Sequence, residues 1–130
     1  MVTYAFLWCL AFVESGNTDA VGDAGKAVGP FQMWKVSVDE ANRIIGLHGL
    51  PAMFEYEDRH DYLMSRAMAK IILEHWGRHW EKKGYTMTHA DYAACWRYGP
   101  SAWKPAKTAL NAIDRRRAAV IKKYLENTNN

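Results

Sequence analysis

Repeats, low-complexity tracts, linker-like stretches and long apolar runs are all missing from this chain of 130 residues. Their absence excludes a solenoid, a disordered tail and a multi-domain array of beads. The one sustained apolar segment, Val2 to Val13, is too short to span a bilayer. No basic residue precedes it, and cleavage behind it would remove the segment that leads into Glu14, so no signal peptide is expected. Cysteine is scarce: Cys9 and Cys95 are the only two, too few for a disulfide framework. Both lie in apolar helical contexts and are expected to be buried free thiols.

Apolar and aromatic residues are abundant. With 49% hydrophobic and 13% aromatic residues the chain can bury one core, and its length fits a single domain, residues 1–130. The formal net charge of +3 favours a polyanionic partner without choosing one. Arg115-Arg116-Arg117 and Lys122-Lys123 lie on a terminal helical pattern with no recognition motif beside them. They read as a solvated face, and no nucleic acid is expected. Glu74-His75-Trp76-Gly77-Arg78-His79 sets two histidines four apart, but the glutamate precedes the first His instead of following it, and no cysteine is near. A polar helix face is expected there, with no metal.

The pattern is mainly α. A first helix runs from about Val2 to Glu14, and Gly16 to Gly29, rich in glycine and aspartate, favours a short irregular segment or β-hairpin. Ser37-x-x-Glu40 has the form of a capping box for a helix with Val38, Ala41, Ile44 and Ile45 inward, ending at Gly46. A loop follows, through Gly49, Pro51, Glu55, Glu57 and Asp58. From Asp61 to about Lys82, Leu63, Met64, Ala67, Met68 and Ile71 fall at helical spacing. Thr88-x-x-Asp91 caps a helix through Tyr98 that Gly99-Pro100 breaks. The last helix is expected over roughly Lys104 to Glu126, with Leu110, Ile113, Val120, Ile121 and Tyr124 inward.

Glu14 ends the first apolar segment in Phe12-Val13-Glu14-Ser15-Gly16, and Gln32 follows in Gly29-Pro30-Phe31-Gln32-Met33. A carboxyl delivered by a buried helix to its boundary is partly desolvated. Its charged form is then disfavoured, which raises its pKa as a general acid requires. Glu14-Ser15-Gly16, Asn17, Ala20-Val21, Ala24-Gly25 and Gly29-x-x-Gln32-Met33 together resemble the catalytic segment of the soluble lytic murein transglycosylases and goose-type lysozymes. A second block, Ala93-Ala94-Cys95-Trp96-Arg97-Tyr98-Gly99-Pro100, looks like that family's Ala-x-x-Tyr-Asn-Ala-Gly-Pro motif. Trp96 stands where the family has Tyr, and Arg97 where it has Asn.

The resemblance implies a lysozyme-like helical domain that cleaves the MurNAc-β-1,4-GlcNAc bond of peptidoglycan. Glu14 would be acid and then base, taking the proton from the sugar's own C6 hydroxyl to close a 1,6-anhydro ring. Ser15 and Gln32 would orient Glu14 or the acetamido sugar, and Trp96 and Tyr98 would line the far wall. Of Trp34, Trp96 and Trp103, at least one is expected in the sugar groove. Asp23, or Asp19 in its place, is the candidate second carboxylate of a hydrolytic lysozyme, and a non-catalytic glycan-binding domain of the same fold is the remaining alternative. No cofactor is implied, and the protein is expected to be a monomer without membrane insertion. With no signal peptide, such an enzyme reaches the wall as an endolysin, in a phage particle, or as a domain of a longer chain.

Overall fold

The computed structural model describes residues 2–105 and 111–128. The fold is mainly α with a small hairpin, as the sequence pattern predicts. Its helices are α1 (Tyr4–Ser15), α2 (Lys35–Leu47), α3 (Tyr62–Lys82), α4 (His89–Tyr98) and α5 (Ala112–Thr128), and its strands are β1 (Val21–Gly22) and β2 (Ala27–Val28). Among the described residues no helix is long and apolar enough to cross a membrane. The chain forms two compact units, residues 10–72 and residues 1–9 with 73–130.

In the unit of residues 10–72, α1 ends where Gly16 and Asn17 both take left-handed backbone, φ 69° and 59°. The N–H groups of Gly16 and Asn17 turn back onto the carbonyls of Phe12 and Ala11. The antiparallel hairpin follows, pairing Val21 with Val28 and Gly22 with Ala27. A tight turn from Gly29 to Gln32 then bridges Val28 to Met33. Helix α2 buries Val38, Ala41, Ile44 and Ile45, the four residues its spacing predicts. It starts earlier than Ser37, at Lys35 behind Trp34, without a side-chain cap. The expected capping box does not form because Ser37 lies inside the first turn, two residues past the start of the helix, and the Glu40 carboxylate pairs with Arg43. The loop after α2 is held by Asn42, whose side chain accepts from the N–H groups of Met53 and Phe54 and donates to the Phe54 carbonyl.

Asp61 caps α3 through the Met64 N–H. The buried stripe of α3 is Ser65, Met68, Ala69, Ile72 and Leu73, while Leu63 is 61% exposed. Of the expected set Met68 is buried, whereas Leu63 is exposed and Met64, Ala67 and Ile71 are half-buried, so the inward face is turned by about one residue. Two of the buried positions, Ser65 and Ala69, carry small side chains, which hydrophobicity alone does not register as inward.

In the other unit, Thr88 and Asp91 form the expected capping box of α4. The Tyr92 hydroxyl lies 2.2 Å from where a Cβ on Gly77 would stand, so that glycine is the condition for α3 and α4 to approach. Helix α5 begins later than expected. Lys104 is not helical, residues 106–110 with the predicted inward Leu110 lie outside the described residues, and α5 opens at a reciprocal cap. The Asn111 N–H donates to Asp114 Oδ2, and the Asp114 N–H to Asn111 Oδ1. Ile113 is exposed and Ile121 buried, with Val120 and Tyr124 half-buried. Cys9 and Cys95 are buried free thiols, and burial pushes the Cys95 thiol up to about 12. His75 and His79 pack edge-on against Trp76 and Trp80 along α3.

Candidate functional site

Glu14 occupies the last turn of α1 and is half-buried. The chain reverses immediately after it, so Glu14 sits where an apolar, partly buried helix gives way to the hairpin. Three braces fix that junction. The Ser15 hydroxyl lies 2.7 Å from the Pro30 carbonyl and accepts the Thr18 N–H. The Gln32 amide nitrogen donates to the carbonyls of Ala20 (2.9 Å) and Gly29 (3.0 Å), and the Gly29 N–H donates to Ala20 as well. Gln32 Oε1 lies over Gly22, 2.7 Å from where a Cβ would stand.

Ser15 and Gln32, expected to orient Glu14 or the sugar, thus direct their donors to backbone carbonyls. Each ties the end of α1 or the entry to β1 to the turn at Gly29–Gln32. As positioning residues they hold the loop that follows Glu14; for a sugar, Gln32 retains an acceptor oxygen and no second amide hydrogen. Asn17 adds a polar group that residue-type reasoning did not single out for a role. Both heteroatoms of its amide are buried with no hydrogen bond among the described residues. Buried amides are almost always satisfied, and only its place in the block after Glu14 marks it in the sequence.

The two candidate second carboxylates differ. Asp23 is exposed at the hairpin tip, in left-handed backbone (φ 49°), and its carbonyl accepts the Lys26 N–H across the turn. This is the structural use of aspartate in tight turns. Asp19 is paired with His60, Nδ1 to Oδ1 2.7 Å. Trp34 is 42% exposed, with the Lys26 ammonium over its ring at 5.2 Å.

Trp96 and Tyr98 belong to the other unit, on the last turns of α4. Tyr98 donates its hydroxyl to Asp114 Oδ2 (2.9 Å), and Arg97 reaches Asp114 Oδ1 (2.9 Å) while covering the Tyr98 ring. The altered block therefore braces α4 to α5. Trp103 is buried against Trp80 and Tyr85 and belongs to the core, which removes it as a groove residue.

Asp114 is the buried polar centre of that unit, 4% exposed. Burial acts to raise its carboxyl pKa, but the Asn111 N–H, the Tyr98 hydroxyl and the Arg97 guanidinium outweigh it and hold the group below the usual carboxylate range. A depressed folded pKa contributes stability that is complete above the unfolded value of about 3.9 and is lost as pH falls through the folded value. Asp114→Asn leaves three donors facing a weaker acceptor and an amide, and should cost about 2 kcal/mol at pH 7. Urea denaturation should show the gap from wild type narrowing below about pH 4; a gap constant from pH 7 to pH 2.5 would contradict the assignment.

Comparison of the chain with family models, with curated proteins and with solved structures finds no match. The likeness to the transglycosylases and goose-type lysozymes rests on the two sequence blocks.

Proposed function

We propose that this protein is a peptidoglycan-cleaving muramidase of the lytic transglycosylase type, with Glu14 as its acid and base. The observation that carries this reading is the placement of Glu14: half-buried, at the end of an apolar helix, and followed by a hairpin pinned through Ser15 and Gln32. In the proposed reaction the Glu14 carboxylic acid protonates the glycosidic oxygen, and the bond from that oxygen to muramic acid C1 breaks. The resulting carboxylate removes the proton of the C6 hydroxyl as O6 bonds to C1. Glu14 ends protonated, the GlcNAc leaves with a free 4-hydroxyl, and no water is consumed.

Loss of turbidity of purified cell walls tests the activity, and unchanged turbidity with folded protein would contradict it. Asp23 separates the two chemistries. Its exposure at a turn favours the lone-glutamate route, and asparagine tolerates left-handed backbone well. Asp23→Asn should therefore keep more than about half of the lytic rate, at a stability cost under ~1 kcal/mol. A loss on the order of 10²-fold with unchanged stability would instead assign Asp23 to transition-state stabilisation in a hydrolase.

A further inference from the structure

The tip of the hairpin, the start of α2 and Arg59 enclose a pocket of about 370 Å³ in the unit of residues 10–72. Lys26, Lys35 and Arg59 line it together with Trp34 and the backbone at Ala24 and Gly25. None of the three cations forms an ion pair among the described residues. Their close neighbours are aromatic faces: Lys26 lies over Trp34, and Lys35 and Arg59 over Tyr56. Asp23 and Asp39, the carboxylates nearest in sequence to Lys26 and Lys35, pair with neither; Asp39 accepts the Tyr56 hydroxyl.

Two further features point the same way. Arg59 is only 8% exposed, and its Nε and Nη1 donate to the carbonyls of Tyr56 and Met33. Nη2 takes part in neither bond. A guanidinium that is nine-tenths buried, locked by two carbonyls and without a counter-ion, presents a fixed positive charge to the pocket it lines. Helix α2, thirteen residues long, opens at the same pocket, with no side-chain cap and no acidic residue in its first turn. The positive end of its dipole is therefore offset by no side chain, with the Ser37 N–H taken by the Trp34 carbonyl and those of Lys35 and Val36 left to the pocket.

We propose that this pocket is a binding site for a phosphate group, free or as a monoester. Three cations and a helix N-terminus around one small space match a multiply charged tetrahedral oxyanion better than a single carboxylate. The Trp34 face beside Lys26 gives a flat apolar wall for the organic part of an ester. The site does not depend on Glu14 or on wall cleavage.

Isothermal titration calorimetry at constant ionic strength, with inorganic phosphate, glycerol 1-phosphate and acetate as probes, tests the site. Phosphate should bind saturably with one site per chain, and acetate more than about tenfold more weakly. Tighter binding of glycerol 1-phosphate than of phosphate assigns the site to a monoester, and the reverse order to the free anion. Lys26→Ala with Lys35→Ala should weaken phosphate by about tenfold or more. Lys122→Ala with Lys123→Ala, an equal change of charge on α5, should stay within about twofold. Amide shifts in a ¹⁵N spectrum should centre on Gly25, Lys35 and Val36. No saturable binding, equal affinity for acetate, or an equal loss in the α5 variant would overturn the proposal.

Discussion

Glu14→Gln should abolish cell-wall lysis while the protein stays folded. The amide has the shape of the carboxyl but cannot donate the proton the leaving oxygen needs, nor afterwards accept one from the C6 hydroxyl. General acid–base catalysis typically contributes ~10²- to 10⁴-fold, and in the proposed reaction one residue supplies both steps, so the loss should lie at the upper end of that range or beyond it. Wall binding in a pull-down should survive, since the shape of the junction is unchanged. Unaltered thermal unfolding is the companion measurement: Glu14 is half-buried at a helix end rather than in the core. Retention of more than half the lytic rate would remove Glu14 from the reaction.

Gly29→Ala should destabilise the protein by roughly 3 to 5 kcal/mol, a large part of the 5 to 15 kcal/mol available to a domain. Two costs coincide at this position. Gly29 has φ +83°, in which an alanine is strained, and a Cβ there would stand 1.7 Å from the Arg59 carbonyl oxygen. The obstacle is backbone, so no rotamer change relieves it, and either the turn or the Arg59 segment must move. Gly25 provides the comparison, because its φ is +90° but nothing lies within 4 Å of the added carbon. Gly25→Ala should cost only the strain, about 1 kcal/mol. Urea midpoints for the two variants measure the difference, and equal values would show that the Gly29 contact is not limiting. Since Gly29 also donates to Ala20 and accepts from Gln32, its loss should loosen the braces behind Glu14 and lower lysis as well as stability.

Local chemistry made much of this fold readable. The buried positions of α2 follow a clean helical period, and Thr88 and Asp91 stand at the spacing at which two side chains can satisfy two orphan N–H groups. The same reciprocal chemistry at Asn111 and Asp114 is masked in the sequence because the residues before it also suit a helix, while Ser37 and Glu40 have the right spacing but lie within a helix that opens at Lys35. On α3, apolar residues occupy more than one face, and the buried one carries the small Ser65 and Ala69, which hydrophobicity alone does not single out.

At the candidate site the residue types were legible and their partners were not. Ser15 is fifteen residues from Pro30, and Gln32 twelve from Ala20, so their bonds depend on how the Gly29–Gln32 turn folds back rather than on neighbouring letters. Arg59 left no mark in the sequence, since its burial comes from the carbonyls of Met33 and Tyr56 that happen to close around it.

In the proposed reaction Glu14, without a second carboxylate, cleaves the glycan by bonding the sugar's own C6 hydroxyl oxygen to C1. Mass spectrometry of the muropeptides released from purified walls tests it most directly, because the product retains the identity of the attacking oxygen. Fragments ending in 1,6-anhydro muramic acid, lighter by one water than their hydrolytic counterparts, should be released by the wild type and by Asp23→Asn and be absent with Glu14→Gln. Fragments ending in reducing muramic acid would contradict the lone-glutamate mechanism, and no released fragments from folded wild-type protein would contradict the activity itself.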